Sequence, residues 1–339
     1  MERTFKHVLV TGGAGFIGSN YVRFALQWHP EWRLTVLDKL TYAGNLENLT
    51  DVMDRITFVE GDIADPEIVH AAMSGADAVV HFAAESHVDR SLMDSSPFIH
   101  TNVRGTQVLL DAARQLDVSR FLHVSTDEVY GDLFGRDDHS LESDPFRPRS
   151  PYAASKAAAE HLVFSYGISF GLDVVITRGS NTYGPLQYPE KIIPLFVTNA
   201  IEDRPLPLYG KGEAVRDYMH AEDHCSGIDT VLHRGESGEA YNLGARLEVS
   251  GVEVAKGVLA GTGKDESLIS FVPDRPGHDY RYSVEPSKAE ALGWERKWDF
   301  PEGLAATVEW YVENESWWRA VKEKLEFQKH EDAWYTKRK

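Results

Sequence analysis

The chain of 339 residues has one cysteine, Cys225, so no intrachain disulfide can form, and a reducing compartment suits it. Basic charge is also scarce: 35 Lys and Arg against 53 Asp and Glu leave a net charge of −18. Polynucleotides and anionic bilayers need a basic face, so neither nucleic acid nor a membrane is expected as a partner. Any phosphate ligand must be held by local donors. No apolar run is long enough to span a bilayer. No charged segment followed by an apolar one stands at the start, and the expected location is the cytoplasm. His81, His87 and His123 lack metal-ligand spacing, and no metal is expected. No repeat and no clean linker divide the chain. What is there, 42% hydrophobic and 26% charged residues, suffices for one large or two modest domains with a substantial core.

Lys6 to Val10 reads as a short β-branched strand running into Thr11-Gly-Gly-Ala-Gly-Phe-Ile-Gly18. Gly13, Gly15 and Gly18 satisfy G-x-G-x-x-G, and Gly12 adds an overlapping G-x-x-G-x-x-G. A helix over Asn20 to Trp28 and a strand over Arg33 to Leu37 follow, and Asp38 ends that strand 20 residues after Gly18. Glycines let backbone approach a pyrophosphate at a helix N-terminus, while Asp38 accepts from a ribose hydroxyl. An acid at this place favours NAD, since it would repel a 2′-phosphate.

Ile56 to Val59 and Asp77 to Phe82 read as the third and fourth strands. Asp62, after the third, suits an adenine contact or a plain acidic loop equally well. Ala83 and Ala84, after the fourth, are small enough for close approach of a cofactor. Asp94 to Leu116 reads as one long helix. Strands alternating with helices predict a Rossmann-type, doubly wound parallel α/β sheet.

The chemistry concentrates between Arg120 and Lys156. Phe121, Leu122 and Val124 mark a buried strand that ends in Ser125-Thr126-Asp127-Glu128. Ligands of open α/β sheets lie beyond the carboxyl ends of strands. Thr126, Asp127 and Glu128 could also simply cap a turn. Both acids can face one ligand only if the strand stops near Thr126, because strand neighbours face opposite ways. Tyr152 and Lys156, four apart at the start of a helix, share one face. That spacing predicts an ammonium favouring the phenolate and lowering a pKa normally near 10.

Beyond Lys156 the alternation loosens. Leu172 to Thr177 reads as a strand, Ser180 to Pro185 as irregular, and Pro189 to Ile201 as a short helix. Pro205 to Gly210 reads as a rigid loop with Tyr209 exposed, and Arg216 sits in a strand. Ala221 to His233 and Val252 to Leu259 read as helices, Asp274 to His278 as a polar turn, and Pro301 to Trp318 as a terminal helix. The expected division is 1–185 for cofactor and catalysis, 186–318 as a smaller α+β domain for substrate, and 319–339 as a charged, solvated tail.

With these pieces placed, the chain resembles the extended short-chain dehydrogenases/reductases, and within them the dTDP-glucose 4,6-dehydratases. The segments that carry the likeness are VTGGAGFIGSN, LDKLTYAGN, HFAAESHVDRS, VSTDEVYG, SPYAASKAAAEH, PEKIIPLF, PLPLYG, RDYMHAEDH and DRPGHDYRY, spread over Lys6 to Trp318. The resemblance implies tightly held NAD and a nucleoside-diphosphate glucose converted to its 4-keto-6-deoxy product for deoxysugar biosynthesis. Tyr152, with Lys156 and Thr126, would take the C4 hydroxyl proton; Glu128 would remove the C5 proton, and protonated Asp127 would donate to the departing C6 hydroxyl. It implies NAD contacts from Gly12, Gly15, Phe16, Ile17, Gly18, Asp38, Lys39, Thr41, Gly44, Asp62 and Ile63. Phe82, Ala83, Ala84, Thr101, Tyr152, Lys156 and Thr182 would complete the cofactor site. Substrate contacts would come from Ser86, Thr126, Asn181, Lys191, Pro207, Tyr209, Arg216, Arg275 and His278, the two arginines gripping the diphosphate. A homodimer would pair Asp94 to Leu116 and Pro151 to Phe170.

Two positions depart from that pattern: Thr182 stands where the family usually has a second Asn, and Gly251 near a nucleotide-contacting Asn. Among rivals, a nucleotide-sugar 4-epimerase has no use for adjacent acids at 127 and 128. A UDP-glucuronate decarboxylase would have Ser at 127. A non-catalytic NAD-binding sensor would have no reason to keep Thr126, Asp127, Glu128, Tyr152 and Lys156 together.

Overall fold

The alternating elements close into a doubly wound sheet. The computed structural model describes residues 2–274, 278–324 and 327. Its strands are β1 (His7–Thr11), β2 (Arg33–Asp38), β3 (Ile56–Glu60), β4 (Ala78–His81), β5 (Arg120–Thr126), β6 (Val174–Gly179) and β7 (Asn181–Tyr183). They continue as β8 (Leu206–Tyr209), β9 (Val215–His220), β10 (Glu239–Leu243), β11 (Glu248–Ser250), β12 (Ile269–Val272) and β13 (Arg281–Tyr282). The large sheet has the order β10-β6-β5-β4-β1-β2-β3, and every pairing in it is parallel. The order reverses between β1 and β4, which opens a crevice at the carboxyl ends of the strands.

Side-chain alternation sends each strand's apolar residues into two cores. Val8 and Val10 pack with Val22 and Ala25 of the helix Phe16–Trp28 and with Ile228 and Val231 of the helix Ala221–Arg234. Leu9 goes to the opposite face, with Val69, Leu109 and Val163. A smaller sheet is built on β9, flanked by antiparallel β11 and by parallel β13 and β7. Its core joins the helices Ile192–Ile201, Gly251–Thr262 and Phe300–Glu313.

Several local expectations change. Pro205 to Gly210 is not a loop: Leu206–Tyr209 forms β8, parallel to β12, with Leu206 and Leu208 buried and Pro207 and Tyr209 half-buried. Residues 181–183 likewise leave the irregular class, because β9 offers them a partner. The long helix begins at Ser96, whose N–H donates to the Asp94 side chain, and it widens to π geometry over Ile99–Gly105. Π-turns gather at functional sites, and this one holds Asn102. The terminal helix is two, Phe300–Glu313 and Glu315–Lys322. Arg319–Lys322, expected in a solvated tail, therefore complete a helix, with Val321 and Lys322 buried and Lys322 paired to Glu202.

One buried ion pair ties β6 to the turn after β5. Arg178 donates three hydrogen bonds of 2.8–3.2 Å to Glu160 on the helix Pro151–Phe170, and one of 2.6 Å to the Tyr130 hydroxyl. Tyr130 in turn donates to Asn242 on β10 at 2.7 Å. Removing one member strands a charge in the core. Glu160→Ala is expected to cost about 3–5 kcal/mol in urea unfolding, and adding Arg178→Met should restore part of it.

Candidate active site

Gly12 has φ +71°, and a Cβ there would lie 2.5 Å from Ala83 N; a Cβ on Gly18 would lie 2.2 Å from Gly12 O. Gly13 instead packs against Val36 of β2. The overlapping pattern Gly12, Gly15, Gly18 is thus the one that shapes the turn. The helix Phe16–Trp28 starts at Gly15 with no side-chain cap, so the first helical N–H groups, from Phe16, Ile17 and Gly18, are left for an anion. Asp38 ends β2 and accepts from Ala14 N at 2.9 Å and Leu40 N at 2.8 Å. These bonds orient the carboxylate, and burial raises its pKa. Lys39 pairs with Asp62 at 2.7 Å. Thr41, Gly44, Ile63, Phe82, Ala83, Ala84 and Thr101 line the same elongated cavity as the glycine turn, Asp38, Tyr152, Lys156 and Thr182.

At the far end of this cavity β5 stops at Thr126, and Asp127–Tyr130 forms a 3-10 turn. Thr126 Oγ1 accepts from Glu128 N and donates to Asp127 Oδ1 at 3.2 Å. The strand ends where both acids can serve one ligand, and Glu128 is the more exposed of the two. Burial, followed by the Glu128 charge, raises the Asp127 carboxyl well above the usual range, which favours its protonated form.

Tyr152 and Lys156 share a face of the helix Pro151–Phe170, whose start is set by Ser150 accepting from Ala153 N. The expected effect of Lys156 on the phenol is not present. Burial raises the Tyr152 pKa and the charge of Glu128 adds to it, while a Thr126 hydrogen bond works the other way. Lys156 Nζ is turned toward β5, donating to Val124 O at 2.7 Å and to His123 Nε2 at 3.2 Å. A buried ammonium takes the nearest acceptors, and burial brings its pKa down to about 8.

A second cavity adjoins the first, and Glu128, Asn181, Glu190 and Lys191 line both. Pro207, Tyr209, Arg216 and His278 line the second; Ser86 lies in the first, where its carbonyl accepts from Lys191 Nζ at 3.1 Å. Arg216 is stacked 4.6 Å over Tyr282 and donates to the carbonyls of Val215, Asp279 and Tyr280. Gly251 lines the second cavity as well, and a Cβ there would lie 3.0 Å from Leu208. Arg275 lies outside the described residues.

Asn102 and Glu190 are among the residues that carry no motif of their own. Asn102 accepts from Glu85 N and donates to Glu85 O and Ser155 Oγ, pinning the loop after β4 to the catalytic helix. A lone amide among apolar helix positions was its only signal. Glu190 is buried and receives two hydrogen bonds from Arg90.

The donor set fits a dinucleotide followed by a second polar ligand. Ser125 Oγ, Asp127 Oδ2, Ser180 Oγ, Asn181 Oδ1, Gln187 Oε1 and His224 Nε2 all line the first cavity, buried and without a protein partner. Buried polar atoms are rarely left so unless a ligand meets them.

The model of the family described as GDP-mannose 4,6 dehydratase matches residues 9–307. The chain belongs to that family. Among members, the Low-salt glycan biosynthesis protein Agl12 of Haloferax volcanii is 49% identical, covering 90% of this chain and 98% of its own. The dTDP-glucose 4,6-dehydratase of Streptomyces niveus is 47% identical, covering 93% and 95%. The crystal structure of DesIV, a dTDP-glucose 4,6-dehydratase from Streptomyces venezuelae solved with NAD and TYD bound, superposes with a TM-score of 0.91 at 50% identity, covering 93% of this chain and 100% of that one. A UDP-glucose 4-epimerase from Thermus thermophilus in complex with NAD is more distant, with a TM-score of 0.85 at 34% identity over 91% and 99%.

Lys156 is protonated up to its ordinary 10.5 in the unfolded chain but only to about 8 in the fold. The cost of burying its charge is therefore full below pH 8 and falls away as pH rises to 10.5. Cofactor-stripped Lys156→Met is expected to be about 1–3 kcal/mol more stable than the unmodified chain at pH 7. In urea unfolding the gap should close between pH 8 and 10.5.

Proposed function

We propose that the protein is a dTDP-glucose 4,6-dehydratase, an NAD-dependent hydro-lyase that forms dTDP-4-keto-6-deoxyglucose and water. The observation that carries this reading is the acid pair at the end of β5, with Asp127 buried and its carboxyl pushed toward the protonated form beside a more open Glu128. Epimerisation needs a hydride and one proton shuttle, so a pair of opposite proton states would be idle there. Elimination of water across C5 and C6 needs one group to take a proton as another gives one. Relatives described as dTDP-glucose 4,6-dehydratases at 47–49% identity support the same reading.

In this mechanism Tyr152 Oη, bonded through Thr126, takes the C4 hydroxyl proton. Bound NAD would supply the hydride chemistry at C4 and C6 and a positive charge that favours the Tyr152 phenolate. The 4-keto group acidifies C5–H, which Glu128 removes while Asp127 protonates the departing C6 hydroxyl. Glu128 then returns the proton to C5 as C6 regains the hydride, and the proton taken by Tyr152 passes by way of Thr126 to restore Asp127. Lys156, fixed by Val124 O and His123, binds the cofactor's ribose side and keeps β5 in register with the helix. Ser86, Asn181 and Lys191 hold the glucosyl unit, Pro207 and Tyr209 flank the base, and Arg216, Arg275 and His278 take the diphosphate. Residues 1–185 thus serve mainly the cofactor and catalysis, and 186–318 mainly the nucleotide sugar.

The enzyme works as a cytoplasmic homodimer in this reading. Helix 96–115 and the helix Pro151–Phe170 lie side by side, and they leave Ile99, Ile168 and Phe170 exposed at 54%, 87% and 54%. Such apolar surface suits a second copy. Light scattering should give twice the chain mass, and Ile168→Glu should shift it toward one.

Purified protein incubated with dTDP-glucose, without added NAD, should yield a product lighter by one water. An unchanged mass with a galactose epimer formed would refute the proposal. Conversion of UDP-glucose alongside would show that Gly251 relaxes the choice of base. Asp127→Asn should slow elimination about 10²–10⁴-fold while C4 oxidation, read as transient reduced cofactor, is impaired less.

A further inference from the structure

We propose that His29, Asp229 and His233 form a binding site for a divalent transition metal, with zinc the ion that fits best. The site is independent of the catalytic reading. His29 caps the C-terminal end of the helix Phe16–Trp28, and Asp229 and His233 lie one turn apart on the helix Ala221–Arg234. The two helices pack on the same face of the sheet. The 13-residue helix puts this end about 20 Å from the glycine turn.

His29 Nε2 lies 3.0 and 3.1 Å from the two Asp229 oxygens, and His233 Nε2 lies 3.7 Å from Oδ1. One ligand atom from each residue falls within 4.8 Å of the others. Zinc bonded at about 2.0–2.2 Å in a tetrahedron places its ligand atoms about 3.3–3.5 Å apart. The observed spacings straddle that value, and small χ rotations close the difference.

The decisive feature is the tautomer of His233. Its Nδ1 lies 2.6 Å from the Arg3 carbonyl, which can only accept, so the proton sits on Nδ1. When the ring carries that one proton, Nε2 turns a lone pair toward a carboxylate oxygen 3.7 Å away. His233 is 9% exposed and its Nε2 has no hydrogen-bond partner. Two acceptors facing each other call for a cation between them. A carbonyl holding the far nitrogen is also the usual outer support of a metal-bound histidine. Trp32 stacks on His29 at 4.0 Å and on His233 at 5.6 Å, walling one side, and imidazole with carboxylate is a donor set that zinc accepts. The three side chains keep 19%, 15% and 11% of their surface exposed, enough for an ion and a water to enter. The ion would clip the first helix to the helix that feeds β10. Asp229 and His233 at i and i+4 were visible in the sequence; His29, 200 positions from Asp229, was not.

The test is a cobalt titration of tag-free, chelator-stripped, full-length protein, followed by visible absorption and by zinc competition. His29→Gln, Asp229→Asn and His233→Gln are measured beside it. The expected result is one equivalent of bound cobalt, displaced by zinc, with each substitution weakening binding more than about tenfold. Activity should be unchanged in His29→Gln. Zinc should raise the Tm of the unsubstituted chain and not that of His29→Gln, a readout that survives if the other variants fold poorly. No saturable cobalt band, or one of equal strength in all variants, would overturn the site and leave a protonated histidine clasp in its place.

Discussion

The reactive turn depends on a charge buried behind it. Arg178 sits next to Gly179 at the end of β6 and is neutralised by Glu160 from the catalytic helix. Its remaining N–H groups reach the Tyr130 hydroxyl and the Glu142 carbonyl. Tyr130 is the last residue of the turn that begins with Asp127. One guanidinium thereby joins the helix that carries Tyr152 and Lys156 to the turn that carries the two acids. Such a pair gives little net stability over an apolar replacement, because desolvation offsets most of its attraction. Its value lies in geometry, since planar, multiply bonded Arg tolerates little displacement of its partners.

Burial then sets the proton inventory. The same loss of solvent raises Asp127 and Tyr152 and lowers Lys156, because in each case the charged form is disfavoured. Asp127 is pushed toward the acid form and Tyr152 toward the neutral phenol, while Lys156, with a pKa of about 8, titrates close to physiological pH. His81 and His123 behind Lys156 are also kept neutral by burial. Lys156, one helical turn from Tyr152, turns its ammonium to β5 instead.

The second constraint is the seam between the two sheets. β6 and β7 are separated by one residue, Ser180, yet β6 pairs in the large sheet and β7 with β9 in the small one. The chain changes sheets beside the acid turn, and Asn181 faces both cavities for that reason. A ligand whose reacting carbon lies at Glu128 can thus extend a nucleotide along β8 while a dinucleotide occupies the crevice between β1 and β4.

Much of this was legible in the residues themselves. The glycine turn, Asp38 after its strand, the end of β5 at Thr126 and the spacing of Tyr152 and Lys156 are local signals, set by turn sterics and by helix and strand periods. The sequence therefore determined the parallel, doubly wound character of the large sheet and the identities of the groups at its mouth, while the strand order came from the fold. It did not determine their proton states, since the Tyr152 phenol answers to how much water and which charges surround it. Nor did it determine that Leu206–Tyr209 is a strand, because its partner β12 lies some sixty residues downstream. Glu160 with Arg178, and Asn102 with Glu85, likewise meet only after the chain has folded. The tertiary structure decided these features because desolvation and pairing between distant segments are properties of the packed chain, not of any short stretch of it.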